Sequence, residues 1–163
     1  MEIEINQLGR KSWLAYVKLF VWYIVTVFLI ELVLAILNGF ELIPFSSDII
    51  YSKVILIGFL VLLLYSLWDT ASYQLYYDEE GIWVFSGVLP WSKGVNGVRW
   101  RDLDGASYKI GAVAWFTNSY DVIINHRYTK ENEIYLSDMW KGNKIVAIIN
   151  EEHNKLIVNS EIK

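Results

Sequence analysis

The sequence contains no cysteine, which excludes disulfide bonds, thiolate nucleophiles, iron–sulfur clusters and cysteine-ligated zinc. Basic residues are outnumbered by acidic ones, 14 to 18, which argues against a chain that wraps nucleic acid by neutralising its phosphates. No GxSxG, Walker A, HExxH or GxGxxG segment occurs, so the usual nucleophile, phosphate and zinc-protease sites are missing. We therefore expect a protein that is not an enzyme and holds no cofactor or metal.

Hydrophobic residues are abundant, at 55% of the chain, and they concentrate in two runs in the first half. Residues 19–37 contain one charged residue, Glu31, and residues 49–68 contain one, Lys53. Each run is long enough to cross a hydrocarbon core of roughly 30 Å at about 1.5 Å per helical residue. Apolar helices also form the cores of large proteins, but this chain has too little other material to wrap two of them. We predict two transmembrane helices, over about residues 13–37 and 49–68, joined by an external loop at residues 38–48.

The charges that flank the first run predict how the helices are oriented. A signal peptide would have a shorter apolar region and a small-residue cleavage site, so the first run is expected to be retained as an anchor. Arg10, Lys11 and Lys18 precede or begin it, whereas the loop at residues 38–48 has no lysine or arginine. The positive-inside rule then places both termini in the cytoplasm, with residues 1–12 as a cytoplasmic N-terminus.

The pattern changes after residue 68, where short alternating segments separated by turn residues are typical of β structure. Residues 143–156 return to a helical period, with Asn143 as the expected N-cap. Residues 69–163 are therefore predicted to form a cytoplasmic β domain that ends in one helix. The predicted strands are residues 72–77, 82–85, 98–103, 106–110, 112–117, 120–128 and 133–136.

The segment YYDEEGIWVFSGVLP at residues 76–90, followed by WRDL at residues 100–103, resembles the opening of bacterial pleckstrin-homology-like (PH-like) domains of small membrane proteins. In that family a two-helix membrane anchor often precedes the sheet, and a C-terminal helix closes the barrel. The resemblance covers about residues 72–157. It implies an α+β membrane protein of the bacterial inner (plasma) membrane, in which a transmembrane hairpin is followed by a PH-like antiparallel β-barrel or sandwich. Family members often carry several basic residues after the glycine that ends the second strand, whereas Lys93 is the single one here.

Four basic residues form the candidate binding site of the β domain. Arg99 and Arg101 are expected to share one strand face, with Lys109 and Arg127 on neighbouring strands. Such a patch would suit an anionic headgroup or an acidic peptide. The alternative is a set of ordinary exposed sheet charges, balanced by nearby aspartates. Those aspartates are Asp102, Asp104 and Asp121.

The remaining candidate residues are assigned structural roles. His126 continues a strand alternation and is expected at the core or a strand end, and His153 is expected on the polar face of the C-terminal helix. Most of the tryptophans beyond the membrane helices are expected to fill the small barrel, with one or two exposed to anchor a partner or enter the membrane interface. These are Trp83, Trp91, Trp100, Trp115 and Trp140.

These features together predict a membrane-anchored PH-like module that binds or scaffolds other proteins. The expected partners are the lipid bilayer and a protein partner or a second copy of the chain, and nucleic acid is not expected. Two other functions remain open: an accessory subunit of a membrane secretion, transport or defence complex, and a module that senses anionic lipid headgroups.

The two charged residues inside the apolar runs lead to a hypothesis about the hairpin. Glu31 and Lys53 both fall about one to two turns from the outer ends of their helices, so they lie at similar depth. We hypothesise that they pair and set the register of the hairpin; separate snorkelling to the interface is the alternative. Glu31→Lys should then reduce accumulation of the protein in membranes, and adding Lys53→Glu should restore it. Immunoblots of membrane fractions test this, and a double variant that accumulates no better than the single one would remove the pair.

Overall fold

The computed structural model describes residues 6–39, 45–128 and 134–159. The chain divides into two compact units, one of Met1–Ala15 with Asp69–Lys163, here called the β unit, and one of Tyr16–Trp68, here called the helical unit. The helices are α1 (Trp13–Gly39), α2 (Phe45–Ser72), α3 (Ala112–Thr117) and α4 (Gly142–Val158). The strands are β1 (Asn6–Arg10), β2 (Gln74–Tyr77), β3 (Gly81–Ser86), β4 (Gly94–Arg99), β5 (Leu103–Lys109), β6 (Ser119–His126) and β7 (Ile134–Trp140).

The segment before the long helices is a strand of the β unit. β1 pairs antiparallel with β2, so that Asn6 lies opposite Tyr77 and Arg10 opposite Gln74. Lys11 and Ser12 extend this attachment, because the Lys11 ammonium donates to the Ser137 carbonyl at 2.6 Å and the Ser12 amide donates to the Asp138 carbonyl at 2.7 Å. The two long helices are therefore inserted between adjacent strands of one sheet, whereas the sequence analysis treated residues 1–12 as a separate flank.

The β unit contains two antiparallel sheets, with strand orders β1-β2-β3-β4 and β5-β6-β7. The α+β class and the C-terminal helix are confirmed, but the sheets form no closed barrel over the residues that the structure describes. The chain changes sheet at a 3₁₀ turn, Trp100–Asp102. There the Trp100 amide donates to the Glu80 carbonyl at 3.1 Å and its indole nitrogen donates to the Asp78 carbonyl at 2.8 Å. Trp100 is buried, so the turn directs its ring into the core.

Two of the predicted strands are wrong. Residues 98–103 are divided between the end of β4, the 3₁₀ turn and the start of β5, because burying the Trp100 ring interrupts the alternation. Residues 112–117 form helix α3, which ends at Asn118 in the left-handed conformation, with φ of 52°. Its β-like composition of valine, tryptophan and phenylalanine is overridden by the requirement to connect β5 to the adjacent antiparallel strand β6.

Helix α4 covers the two sheets and completes the core. Ile145, Val146 and Ile149 are buried on it, at 5% exposure or less. The helix begins at Gly142 after Lys141, so the expected N-cap at Asn143 is wrong. A Cβ atom on residue 142 would lie 2.8 Å from Val122 Cγ2, which explains a glycine where α4 meets β6.

The Asn150 side chain of α4 forms hydrogen bonds with backbone groups on the outer edge of strand β5. Its side-chain oxygen accepts the Ala106 amide at 2.9 Å, and its side-chain nitrogen donates to the Ala106 carbonyl at 2.9 Å. Ala106 is buried, so these backbone groups have little access to water. The side-chain amide thus pairs with β5 as a neighbouring strand would.

We predict that Asn150→Ala lowers the free energy of unfolding by about 2 kcal/mol, because a buried amide and carbonyl lose their partners. Chemical denaturation of the full chain in detergent, followed by tryptophan fluorescence, measures the change. Asn143→Ala is the matched control, since the half-buried Asn143 side chain accepts a solvent-exposed hydrogen bond from the neighbouring Lys144 amide. Equal stability of the two variants would contradict the role assigned to Asn150.

Candidate functional site

The long helices of the helical unit present apolar side chains on their outer surface. The most apolar 18-residue window of Trp13–Leu37 has a mean hydropathy of 2.6, that of Ser52–Ser72 has one of 2.1, and neither window contains a buried residue. Phe28, Leu29 and Leu62 are each more than half exposed. A helix this apolar in a soluble protein would lie in the core. Both helices are long and apolar enough to cross a membrane.

Two hydrogen bonds between polar side chains join the two helices. The Tyr23 and Ser66 hydroxyls lie 2.9 Å apart and join α1 to α2. The Ser52 hydroxyl donates to the Glu31 carboxylate, also at 2.9 Å. Apolar groups outside and hydrogen-bonded polar groups between helices are the arrangement that a hydrocarbon environment favours.

The contact between Ser52 and Glu31 also bears on the hypothesised ion pair. It places Glu31 beside the residue that precedes Lys53, so the two charged residues lie at the same level of the hairpin. Glu31 and Lys53, both within the described part of the chain, form no ion pair, and Lys53 is exposed. Ser52 is thus the partner that sequence reasoning missed, and the charge pair stays a prediction for the inserted protein.

The four basic residues of the candidate patch lie at two ends of the β unit. Arg101 and Arg127 come together, because the Arg127 amide donates to the Asp102 carbonyl at 2.8 Å. Arg99 ends β4, immediately before the 3₁₀ turn that contains Arg101. Arg99 and Arg101 therefore do not share a strand face, contrary to the sequence expectation. The Arg101 guanidinium lies 3.5 Å from the Asp102 carboxylate, and at 63% side-chain exposure this pair is screened by water.

Lys109 is separate from this group. It ends β5, the strand that begins next to the 3₁₀ turn, so about 20 Å of extended chain lies between them. Its ammonium lies 5.3 Å from the Tyr135 ring, and it is in register with Asp121. The Tyr135 hydroxyl donates to the same Asp121 carboxylate at 2.5 Å, which raises the pKa of Tyr135. Lys109 thus belongs to a different surface from the three arginines.

His153 is buried, at 6% exposure, although the sequence places it on the polar face of α4. Its ring stacks on Trp100 with an interplanar angle of 19°. Burial lowers the pKa of His153, and the nearby Arg127 charge acts in the same direction. A hydrogen bond with the Trp100 backbone and the Asp104 charge oppose this shift without reversing it. The expectation failed because the 3₁₀ turn brings Trp100 over this face of the helix.

Three of the five tryptophans outside α1 and α2 are exposed, whereas the sequence analysis expects most of them in the core. Trp91 is 81% exposed, Trp115 is 71% exposed and Trp140 is 43% exposed. Trp115 belongs to a larger apolar surface around α3, here called the α3 surface. It consists of Ile110, Val113, Trp115 and Phe116, which are 59–81% exposed.

Sequence reasoning missed the α3 surface because the segment was assigned as a core-facing strand. The sequence does contain a signal for this surface. Residues 110–116 are all apolar, so they show no alternation between polar and apolar side chains. A strand with one wet face would show polar residues at every second position. An uninterrupted apolar run between two strands therefore distinguishes an exposed apolar surface from a strand with one face in water.

No family model, curated protein or solved structure matches this chain. The described residues also contain no group of three or more histidine, aspartate or glutamate side chains positioned to hold a metal ion. The function is therefore inferred from the helical unit, the exposed sheet edges of the β unit and the α3 surface.

We predict that the protein loses stability as the pH falls from about 7 to about 5.5, because unfolded histidine binds a proton near pH 6.5 while folded His153 resists protonation. The lowered pKa means that the contribution is fully present above the unfolded pKa and is lost below it. His153→Gln should flatten this part of the profile, whereas His126→Gln should keep it. Denaturant titrations across this pH range measure the slope, and an unchanged slope in His153→Gln would refute the assignment.

Proposed function

We propose that this protein is a membrane-anchored binding module that presents a PH-like β unit to other proteins at the cytoplasmic face of a bacterial inner (plasma) membrane. It acts by holding a binding surface close to the membrane, which raises the effective concentration of that surface for partners there. Catalysis has no part in this proposal. The observation that carries it is the reversed polarity of the helical unit, with apolar side chains outside and paired polar groups between the helices.

The pairing of β1 with β2 supports a hairpin whose two ends lie on one side of the membrane. A strand before α1 and a strand after α2 belong to one ladder, so an even number of crossings must separate them. Two spans meet this requirement and one does not. Arg10, Lys11 and Lys18 near the start of α1 favour the cytoplasmic side by the positive-inside rule.

The order of elements in the β unit supports the PH-like resemblance. Two antiparallel sheets are followed by a single C-terminal helix that packs on both. The chain departs from the expected arrangement in one respect, because β1 precedes the membrane helices instead of following them. The resemblance therefore applies to a domain into which the anchor is inserted.

The edges of the sheets favour strand β4 as the site where a partner binds. The edge of β5 is covered by Asn150, and the edge of β7 is met by Lys11, which bridges to Met139. β4 pairs with β3 alone among the described strands, and every residue of it except Val98 is exposed. An exposed edge accepts an extended peptide as an additional strand. We infer that a partner of this kind adds to β4.

The absence of cysteine provides a direct experiment, since a single introduced thiol has no native background. Gly39→Cys should react with a membrane-impermeant maleimide on intact cells. Asn154→Cys, on the exposed part of α4, should react only after the cells are opened. Protein that leaves the membrane in carbonate buffer, or labelling of residue 154 from outside, would contradict the proposed anchor or its orientation.

The same set of variants tests binding. With a cysteine-directed photo-cross-linker, Asn96→Cys on β4 should give a discrete adduct with another polypeptide in membranes, and Asn154→Cys should not. Mass analysis of the adduct distinguishes a second copy of the chain from a subunit of a larger membrane complex. Equal adducts at both positions, or none at residue 96, would exclude β4 as the binding edge.

A further inference from the structure

We propose that the α3 surface is a second membrane contact, which inserts shallowly into the leaflet from which α1 enters the bilayer. This inference rests on the proposed membrane anchor and adds a site within the β unit. Its ligand is the interfacial region of a phospholipid bilayer, where the acyl chains meet the headgroups.

The apolar side chains of this surface project outward from a well-formed element. Ile110 is 72% exposed and Phe116 is 81% exposed, and no charged residue lies between Lys109 and Asp121. The Trp115 amide donates to the Gly111 carbonyl at 2.9 Å, and the Thr117 hydroxyl donates to the Val113 carbonyl at 2.7 Å. These two bonds hold the single turn of α3 together, so its apolar side chains project from a regular element, and the amides at its start remain at the level of water and headgroups.

The position of α3 in the β unit connects it with the membrane anchor. Ser119, which follows α3 after a single residue, shares a hydrogen bond of 2.7 Å with the side chain of Ser12. Ser12 in turn accepts the Leu14 amide at 3.0 Å in the first turn of α1. The residue between them, Trp13, is 52% exposed. The first turn of α1, which is part of the β unit, therefore lies beside the end of α3. We infer that insertion of α1 keeps α3 close to the leaflet that the helix enters.

A lysine lies at each end of the α3 surface, as expected for a segment at the boundary between acyl chains and headgroups. Lys109 precedes Ile110, and the Lys141 amide donates to the Asn118 carbonyl at 2.8 Å. The Lys141 ammonium lies 5.5 Å from the half-exposed ring of Trp140. Tryptophan rings and lysine ammonium groups that surround an apolar patch are typical of segments at a membrane interface. The lysines offer positive charge to the phosphates of the lipid headgroups at this boundary.

Single cysteines carrying the small fluorophore bimane test this inference in the full chain. Phe116→Cys labels the α3 surface, and Asn154→Cys, at an exposed position on α4, is the control. Leu29→Cys, at an outward position on α1, reports the anchor itself. The proteins are reconstituted into vesicles of phosphatidylcholine and phosphatidylglycerol that contain lipids spin-labelled near the headgroup or deep in the acyl chain.

We expect bimane at residue 116 to shift its emission to the blue and to be quenched by the shallow spin label, and bimane at residue 154 to remain unquenched. Residue 29 should be quenched by the deep label. If residue 29 is quenched and residue 116 is not, the α3 contact is refuted while the anchor stands. If residue 29 is unquenched, the anchor itself fails. A blue shift at residue 116 without quenching by lipid would assign this surface to a protein partner or a second copy, and would overturn the inference.

Discussion

The antiparallel pairing of β1 with β2 is the constraint on which the rest of the molecule depends. It requires the chain to leave a sheet, form two long apolar helices and return to the adjacent position in the same sheet. Contacts from Lys11 and Ser12 to β7 reinforce the point of departure. The helical hairpin is therefore an insertion into the β unit, and strand β1, whose Leu8 packs against the core, lies on the far side of the hairpin in sequence.

Hydrogen bonds from side chains of the β unit cover the edge of β5 and fix the junction between its two sheets. Asn150 replaces a neighbouring strand at β5, and Trp100 ties the junction of the two sheets to the β2–β3 turn. His153 stacks on Trp100, and burial lowers the pKa of its ring because it disfavours the charged form. The edge of β4 and the α3 surface are exposed in the described part of the chain, and we propose that other molecules bind there.

Several features were predictable because they depend on local composition. Long apolar runs indicate the helices at any position in a fold, and the turn at Asp78–Gly81 follows from residues that favour tight turns, with Asp78 accepting the Glu80 and Gly81 amides. The strand predicted at residues 98–103 was wrong because alternation cannot show that the Trp100 ring must enter the core and redirect the backbone. His153 was misplaced for the same reason, since its neighbour Trp100 is distant in sequence.

The sequence by itself determined the two apolar helices, the α+β class and the C-terminal helix, because each follows from hydrophobic periodicity over neighbouring residues. Only the tertiary structure decided that β1 completes a sheet across the hairpin, that the basic residues lie at two ends of the β unit, and that α3 exposes its apolar side chains beside the start of α1. These features depend on contacts between segments far apart in the chain, and one-dimensional patterns contain no information about which distant surfaces meet.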